Sequence, residues 1–78
     1  MYYTYVLLSL KDQRMYIGFS EDLQKRLEEH HSGRVAATRL RRPLQLIYYE
    51  AGFSQEKAIQ REKYFKTGFG RRFLKERI

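Results

Sequence analysis

The amino-acid sequence predicts an α+β fold in which two strands precede a helix, a third strand and two further helices. Three observations carry this. Aromatic and branched residues concentrate in three short runs, residues 2–8, 14–18 and 44–50, as strands require. Apolar residues at helical spacing follow the capping residues Ser20 and Ser54. Turn formers separate the segments at Ser9 to Asp12, Ser32-Gly33, Ala51 to Phe53 and the pair Gly68 and Gly70.

The first two runs read as a hairpin. With a four-residue turn at Ser9-Leu10-Lys11-Asp12, Leu8 faces Gln13, and counting outward sets Tyr5 opposite Tyr16. Two phenols then share one sheet face. Ser20 reads as the N-cap of a helix to about His31, with Glu21 and Asp22 in the first turn, where the helix dipole favours negative charge. Leu23 and Leu27 mark its buried stripe, Arg26 and His30 flank that stripe, and Ser32-Gly33 supplies the stop. The stretch 33–43 holds Arg34, Arg39, Arg41 and Arg42, no acid and no clear period, so it reads as a basic loop. Pro43 introduces the third strand. Ser54 caps a second helix through about Thr67, and Gly68 and Gly70 separate it from a short basic helix starting near Arg71.

Length and composition bound the rest. At 78 residues the sequence has room for one domain, residues 1–78, and no second module. Cysteine is absent, so neither disulfides nor thiolate metal sites contribute, and the chain fits a reducing cytoplasm. A hydrophobic share of 42% and an aromatic share of 15% argue against disorder. The first residues, Met1 to Leu8, lack the basic segment and cleavage site of a secretory signal. No apolar run approaches the roughly 20 residues a bilayer crossing needs. Sixteen Lys and Arg against nine Asp and Glu give a formal charge of +7, a field that attracts polyanions, nucleic acid above all. A polyanion or anionic-membrane binder would rest on charge alone, because no long amphipathic helix with a lipid-ready aromatic face is present.

Chemistry has few places to sit. Glu62 falls between Ala58 and Phe65, four after one and three before the other, so a carboxylate occupies a core-facing slot. A buried charge needs a cation beside it. Lys66, one turn on, offers an ordinary i,i+4 ion pair, and a metal ion is the other candidate. Arg26 has Asp22 four residues earlier as a simple surface partner. His30 and His31 lie about 100° apart on a helix and cannot grip one ion together. No P-loop, zinc-binding cysteine pair or nucleophilic-serine elbow occurs. If Tyr5, Tyr16, Arg26 and Glu62 converge, they supply a base for water, a clamp for phosphate and a metal ligand, the kit that phosphodiester hydrolysis needs.

These segments resemble the GIY-YIG nuclease superfamily, and within it the small standalone bacterial members. The second signature stands intact as Tyr16-Ile17-Gly18, and the first in relaxed form as Tyr3-Thr4-Tyr5, with Tyr3 replacing its glycine. Residues 20–30 resemble the family helix that carries an arginine and, one turn later, a histidine; Arg61-Glu62-Lys63 resembles the segment with the metal-binding glutamate. Phe19 stands where some relatives carry a lysine. The resemblance implies a three-stranded antiparallel sheet flanked by helices. It also implies a catalytic set of Tyr5, Tyr16, Arg26, His30 and Glu62. In that set Tyr16 acts on the attacking water, Tyr5 assists near metal and phosphate, Arg26 stabilises charge on the scissile phosphate, and His30 orients water or substrate. Glu62 holds a single divalent ion, Mg2+ by expectation. A free phenol titrates near 10, so Tyr16 can act as a base only beside positive charge, for which Arg26 and the metal are the candidates.

The function expected is a metal-dependent endonuclease acting on DNA, selective for structure rather than sequence. Arg34, Arg39, Arg41, Arg42, Arg71 and Arg72 are the expected contacts to the phosphate backbone, or else a solvated charged surface. The rival reading is a nucleic-acid-binding or adaptor module in DNA repair that keeps the nuclease scaffold without cutting, since fold does not fix function.

Overall fold

The computed structural model describes residues 1–78. β1 spans Tyr2–Ser9, β2 Met15–Ser20, α1 Leu23–His31, β3 Leu44–Gly52, α2 Gln55–Phe65 and α3 Gly68–Lys75, with a 3₁₀ turn at Arg39–Arg41 ahead of β3. The strands form one antiparallel sheet in the order β2-β1-β3. This is the expected α+β architecture in the expected element order.

β1 lies in the middle and is covered on both faces, which is why Thr4, Tyr5, Val6 and Leu7 are all buried instead of alternating. Tyr5, Leu7 and Leu44 form a core with Leu23, Leu27, Leu46 and Tyr16 under α1. Val6, Ile17, Phe65 and Leu74 form the other with Tyr48, Tyr64 and Phe73 under α2 and α3. A bulge in β3 lets both Ile47 and Tyr48 serve the second core, because Val6 pairs with Tyr48 while Leu7 pairs with Leu46.

Four local expectations are corrected. The hairpin connection is longer than four residues, since Leu8 pairs with Met15 and Tyr5 with Gly18. Ser9 closes it by accepting from Gln13 N and donating to Arg14 O, with Gln13 at φ 61. The shift is by two, so Tyr5 and Tyr16 keep a common face but sit diagonally. α1 is capped by Asp22, whose side chain accepts from Lys25 N, while Ser20 instead accepts from Asp22 N. β3 continues through Ala51 to Gly52, because both residues still pair with β1. α3 starts at Gly68 rather than near Arg71, and α2 ends at Phe65. Thr67 caps α3 from Gly70 N at 3.1 Å. A Cβ on Gly70 would collide with the Tyr64 carbonyl and Phe65 backbone, so this glycine allows α3 to dock on α2 rather than breaking a helix.

The stop of α1 is as expected. Gly33 at φ 81 donates to His30 O at 3.2 Å and Arg34 donates to Glu29 O at 2.9 Å, the paired bonds that close a Schellman motif.

Candidate active site

Tyr5 is the hub of the candidate site. Its phenol crosses the sheet over Gly18, where any Cβ would strike the ring and its hydroxyl. The glycine of the Tyr16-Ile17-Gly18 signature therefore makes room for the tyrosine of the neighbouring strand. The Tyr5 hydroxyl lies 2.8 Å from His30 Nε2, and His30 Nδ1 lies 2.7 Å from Thr38 Oγ1. Tyr5, His30 and Thr38 are all at 0% exposure, so a hydrogen-bonded chain ties β1, α1 and the basic loop together inside the protein. Tyr16 packs its ring on the same imidazole, with centroids 5.2 Å apart.

Electrostatics show what else gathers here. Burial pushes the Tyr5 phenol above its usual 10.0; the Arg26 guanidinium opposes the rise, and Tyr16 and Glu62 add to it. Side chains from β2, α1 and α2 thus all act on one hydroxyl. Tyr5 in turn is the first cause holding the Arg26 guanidinium above its usual range, ahead of Glu29. His30 is pushed down to about 4, first by burial and then by the charges of Arg26 and His31, so its ring is neutral at pH 7. One of its nitrogens donates and the other accepts.

The structure brings Tyr5, Tyr16 and His30 into contact, and the charges of Arg26 and Glu62 bear on the Tyr5 phenol, with three differences from the sequence-based picture. Arg26 pairs with Glu29 at 3.4 Å and not with Asp22, which is occupied as the helix cap. His30 is not a flanking residue but the buried residue of α1, with both nitrogens engaged. Glu62 is partly exposed at 24%, and the i,i+4 pair with Lys66 forms at 3.4 Å. Arg26, Tyr16 and Glu62 thus reach solvent, while Tyr5 and His30 stand behind them.

The six basic residues expected at a nucleic-acid surface differ in their local surroundings. Arg34, Arg39, Arg42, Arg71 and Arg72 are exposed and Arg41 is half-buried. Arg42 folds back on the Arg39 carbonyl at 3.0 Å and the His31 carbonyl at 3.4 Å. Arg41 is clamped on Asp12 at 2.8 Å and shares a cleft with Arg71.

Other contributors escape sequence reasoning. Thr38 lies in a stretch without periodicity and gives no signal. Arg61, next to Glu62, forks onto Glu50 with two bonds of 2.8 Å and lies 4.6 Å over the Phe65 ring. The Tyr48 hydroxyl donates to the same carboxylate at 2.8 Å. This clamp fixes α2 against β3 and so sets where Glu62 projects.

No cluster of three or more His, Asp or Glu side chains that could hold a metal is present, so an ion at Glu62 would have little other protein help. One hard carboxylate oxygen donor, partly open to solvent, fits an ion such as Mg2+, which keeps most of its water and takes phosphate oxygens.

A small antiparallel sheet carrying two phenols, an arginine helix on one face and a glutamate helix on the other define the scaffold of a GIY-YIG nuclease. The chain belongs to that family: the family model described as the GIY-YIG catalytic domain matches residues 1–75. Among curated relatives, a UPF0213 protein of Bacillus pumilus is 46% identical over 67 residues, covering 85% of this chain and 67% of that one. A UPF0213 protein of Lactiplantibacillus plantarum is 47% identical over 83% of this chain and 66% of its own. The chain therefore spans about two thirds of the length of these relatives. The solution NMR structure of a UPF0213 protein from Bacillus halodurans superposes with a TM-score of 0.60 at 31% identity, covering 97% of this chain and 84% of that one.

Proposed function

We propose that the protein is a divalent-metal-dependent endonuclease that hydrolyses phosphodiester bonds in DNA in the cytoplasm, as one domain, selecting by structure rather than by base sequence. The observation that supports this reading is the packing of Tyr5, Tyr16 and His30 against one another, with the charges of Arg26 and Glu62, from two different helices, acting on the Tyr5 phenol. Tyr16 would accept a proton from the attacking water or orient it, and Arg26 would neutralise charge on the phosphate. Tyr5 stays protonated at neutral pH and is enclosed, which suits it to hold Arg26 and Tyr16 in place rather than to act as a base. His30, tethered by Thr38, fixes Tyr5 in turn. Glu62 would hold one divalent ion, Mg2+ by the chemistry of its donor, which would supply Lewis-acid stabilisation of phosphate charge when bound.

A binding or adaptor module in DNA repair that does not cut is the second reading, favoured by one interaction: Lys66 already occupies Glu62. Exposed i,i+4 pairs contribute only about 0.3–0.5 kcal/mol, so a divalent ion can displace this one. The two readings separate when branched, flapped and single-stranded DNA are incubated with the protein and magnesium. The nuclease reading expects cleavage that falls at least about a hundredfold in Glu62→Ala and in Tyr16→Phe, the scale on which a single charge-stabilising or proton-transferring group acts. Activity surviving both substitutions would refute the assignment; tight binding with no cutting of any substrate would favour the adaptor.

A further inference from the structure

The sheet face opposite Tyr16 opens on a second charged surface. Met15 and Ile17, the two neighbours of Tyr16 in β2, line a cleft of about 550 Å³ whose walls carry Arg14 and Asp12 of the hairpin connection, Arg41, and Arg71 and Lys75 of α3. Its cations differ in state. Arg41 is spent on structure: Nε bonds Asp12 Oδ2 at 2.8 Å, and Nη2 bonds Asp12 Oδ1 at 3.3 Å and the Arg14 carbonyl at 3.0 Å. Asp12, held down at about 2 chiefly by Arg41, is the only acid of the cleft and is fully committed to that clamp.

Arg14, Arg71 and Lys75 have no carboxylate partner, whereas Arg26, Arg61 and Lys66 each have one. Arg71 and Lys75 stand four apart on one helix face, a like-charge arrangement that destabilises a helix unless an anion lies between them. The clamp also holds the hairpin connection and the basic loop rigidly against each other, so this wall is preformed.

We infer that this cleft is a second binding site for the sugar-phosphate backbone of nucleic acid, contacting phosphates that flank the one being cut through Arg14, Arg71 and Lys75, with Arg41 as the strut that shapes it. The inference rests on the nuclease reading for the place of the scissile phosphate. β2 is an edge strand, and Met15 and Ile17 flank Tyr16 on the opposite face, so a backbone engaged at Tyr16 can pass around this edge into the cleft. The cations come from two separate elements along an open trough, which suits a polymer rather than one free phosphate. The exposed arginines of the loop carry no such arrangement, and Arg42 is folded back.

The test is the salt dependence of binding of a fluorescent DNA duplex and of an RNA duplex, measured by anisotropy with EDTA present so that no cutting occurs. The parent is compared with the triple variant Arg14→Ala, Arg71→Ala, Lys75→Ala, and with a control triple of exposed residues, Arg34→Ala, Arg39→Ala, Arg72→Ala. Parent-like thermal melting establishes that each variant is folded. The cleft variant is expected to bind at least tenfold more weakly at low salt and to flatten the plot of log K against log salt by roughly 2 to 3, about 0.9 for each phosphate no longer neutralised. The control should change less. An unchanged slope in the cleft variant, or an equal or larger weakening in the control, overturns the inference. So does competition by inorganic phosphate as effective, per phosphate, as that by unlabelled duplex. A parent that binds and loses affinity in the cleft variant but cuts nothing with magnesium leaves the cleft standing and removes the nuclease reading; a parent that binds neither duplex at any salt removes both.

Discussion

His30 joins three segments of chain through two nitrogens, and its burial has a measurable thermodynamic consequence. In the unfolded chain it takes up a proton as pH falls below about 6.5, whereas in the folded protein it resists protonation down to about 4. The unfolded state therefore binds more protons in that window, and stability, complete above 6.5, is lost as pH falls toward 4. Glu50 and Asp12, whose ordinary values are 4.5 and 3.8 and whose folded values are lower, add their losses from about pH 5 downward, at the acid end of that window and beyond it. Urea midpoints at pH 7, 6 and 5 should drop steadily for the parent and much less for His30→Gln. A midpoint flat between pH 6.5 and 5 would contradict the burial of a neutral imidazole. Thr38 is the partner that completes this network. Thr38→Val keeps the shape but leaves Nδ1 without a partner, and is expected to cost about 1–3 kcal/mol in chemical denaturation, whereas Thr38→Ser should cost less.

At the scale of elements, two glycines and one ion pair set the distances on which the site depends. Gly18 lets Tyr5 lie across β2, and Gly70 lets the first turn of α3 meet the last turn of α2. Because the obstacle at Gly70 is backbone, which cannot rotate aside, Gly70→Ala should destabilise the protein by about 1–3 kcal/mol, with chemical-shift changes concentrated in α3 and the end of α2. A variant as stable as the parent would show that α3 is not held this closely. The Arg61–Glu50 fork and the stack of Arg61 on Tyr64, Phe65 and Phe73 secure the other side of α2. Glu62 is thus presented from a helix fixed at two places.

Across the whole molecule, what the sequence discloses and what it hides divide along range. Element order, the Gly33 stop, the Ser54 cap and the sharing of a face by Tyr5 and Tyr16 follow from local pattern and parity, and all are present. Hairpin register is not legible, because the left-handed Gln13 lengthens the connection at a residue type that carries no turn signal. α3 begins earlier than its pattern suggests, because a glycine that serves close packing looks, in sequence, like one that ends a helix. The neighbourhood of Tyr5, Tyr16 and His30 is legible through the signature segments. The depth of His30, however, depends on Thr38, eight residues on in an aperiodic loop, and the roles of the arginines depend on distant pairs such as Arg41 with Asp12. Such pairings have no local imprint.

The central claim is that Glu62 holds a divalent ion beside the phenols of Tyr5 and Tyr16 and the guanidinium of Arg26. Titration with Mn2+, as a paramagnetic stand-in for Mg2+, while recording NMR signals of the protein tests it most directly. Selective broadening centred on Glu62, Tyr5, Tyr16 and Arg26, abolished in Glu62→Gln, is the result expected. Broadening centred on Asp12, on Glu50 or on Glu21 and Asp22 ahead of α1, and persisting in Glu62→Gln, would contradict it.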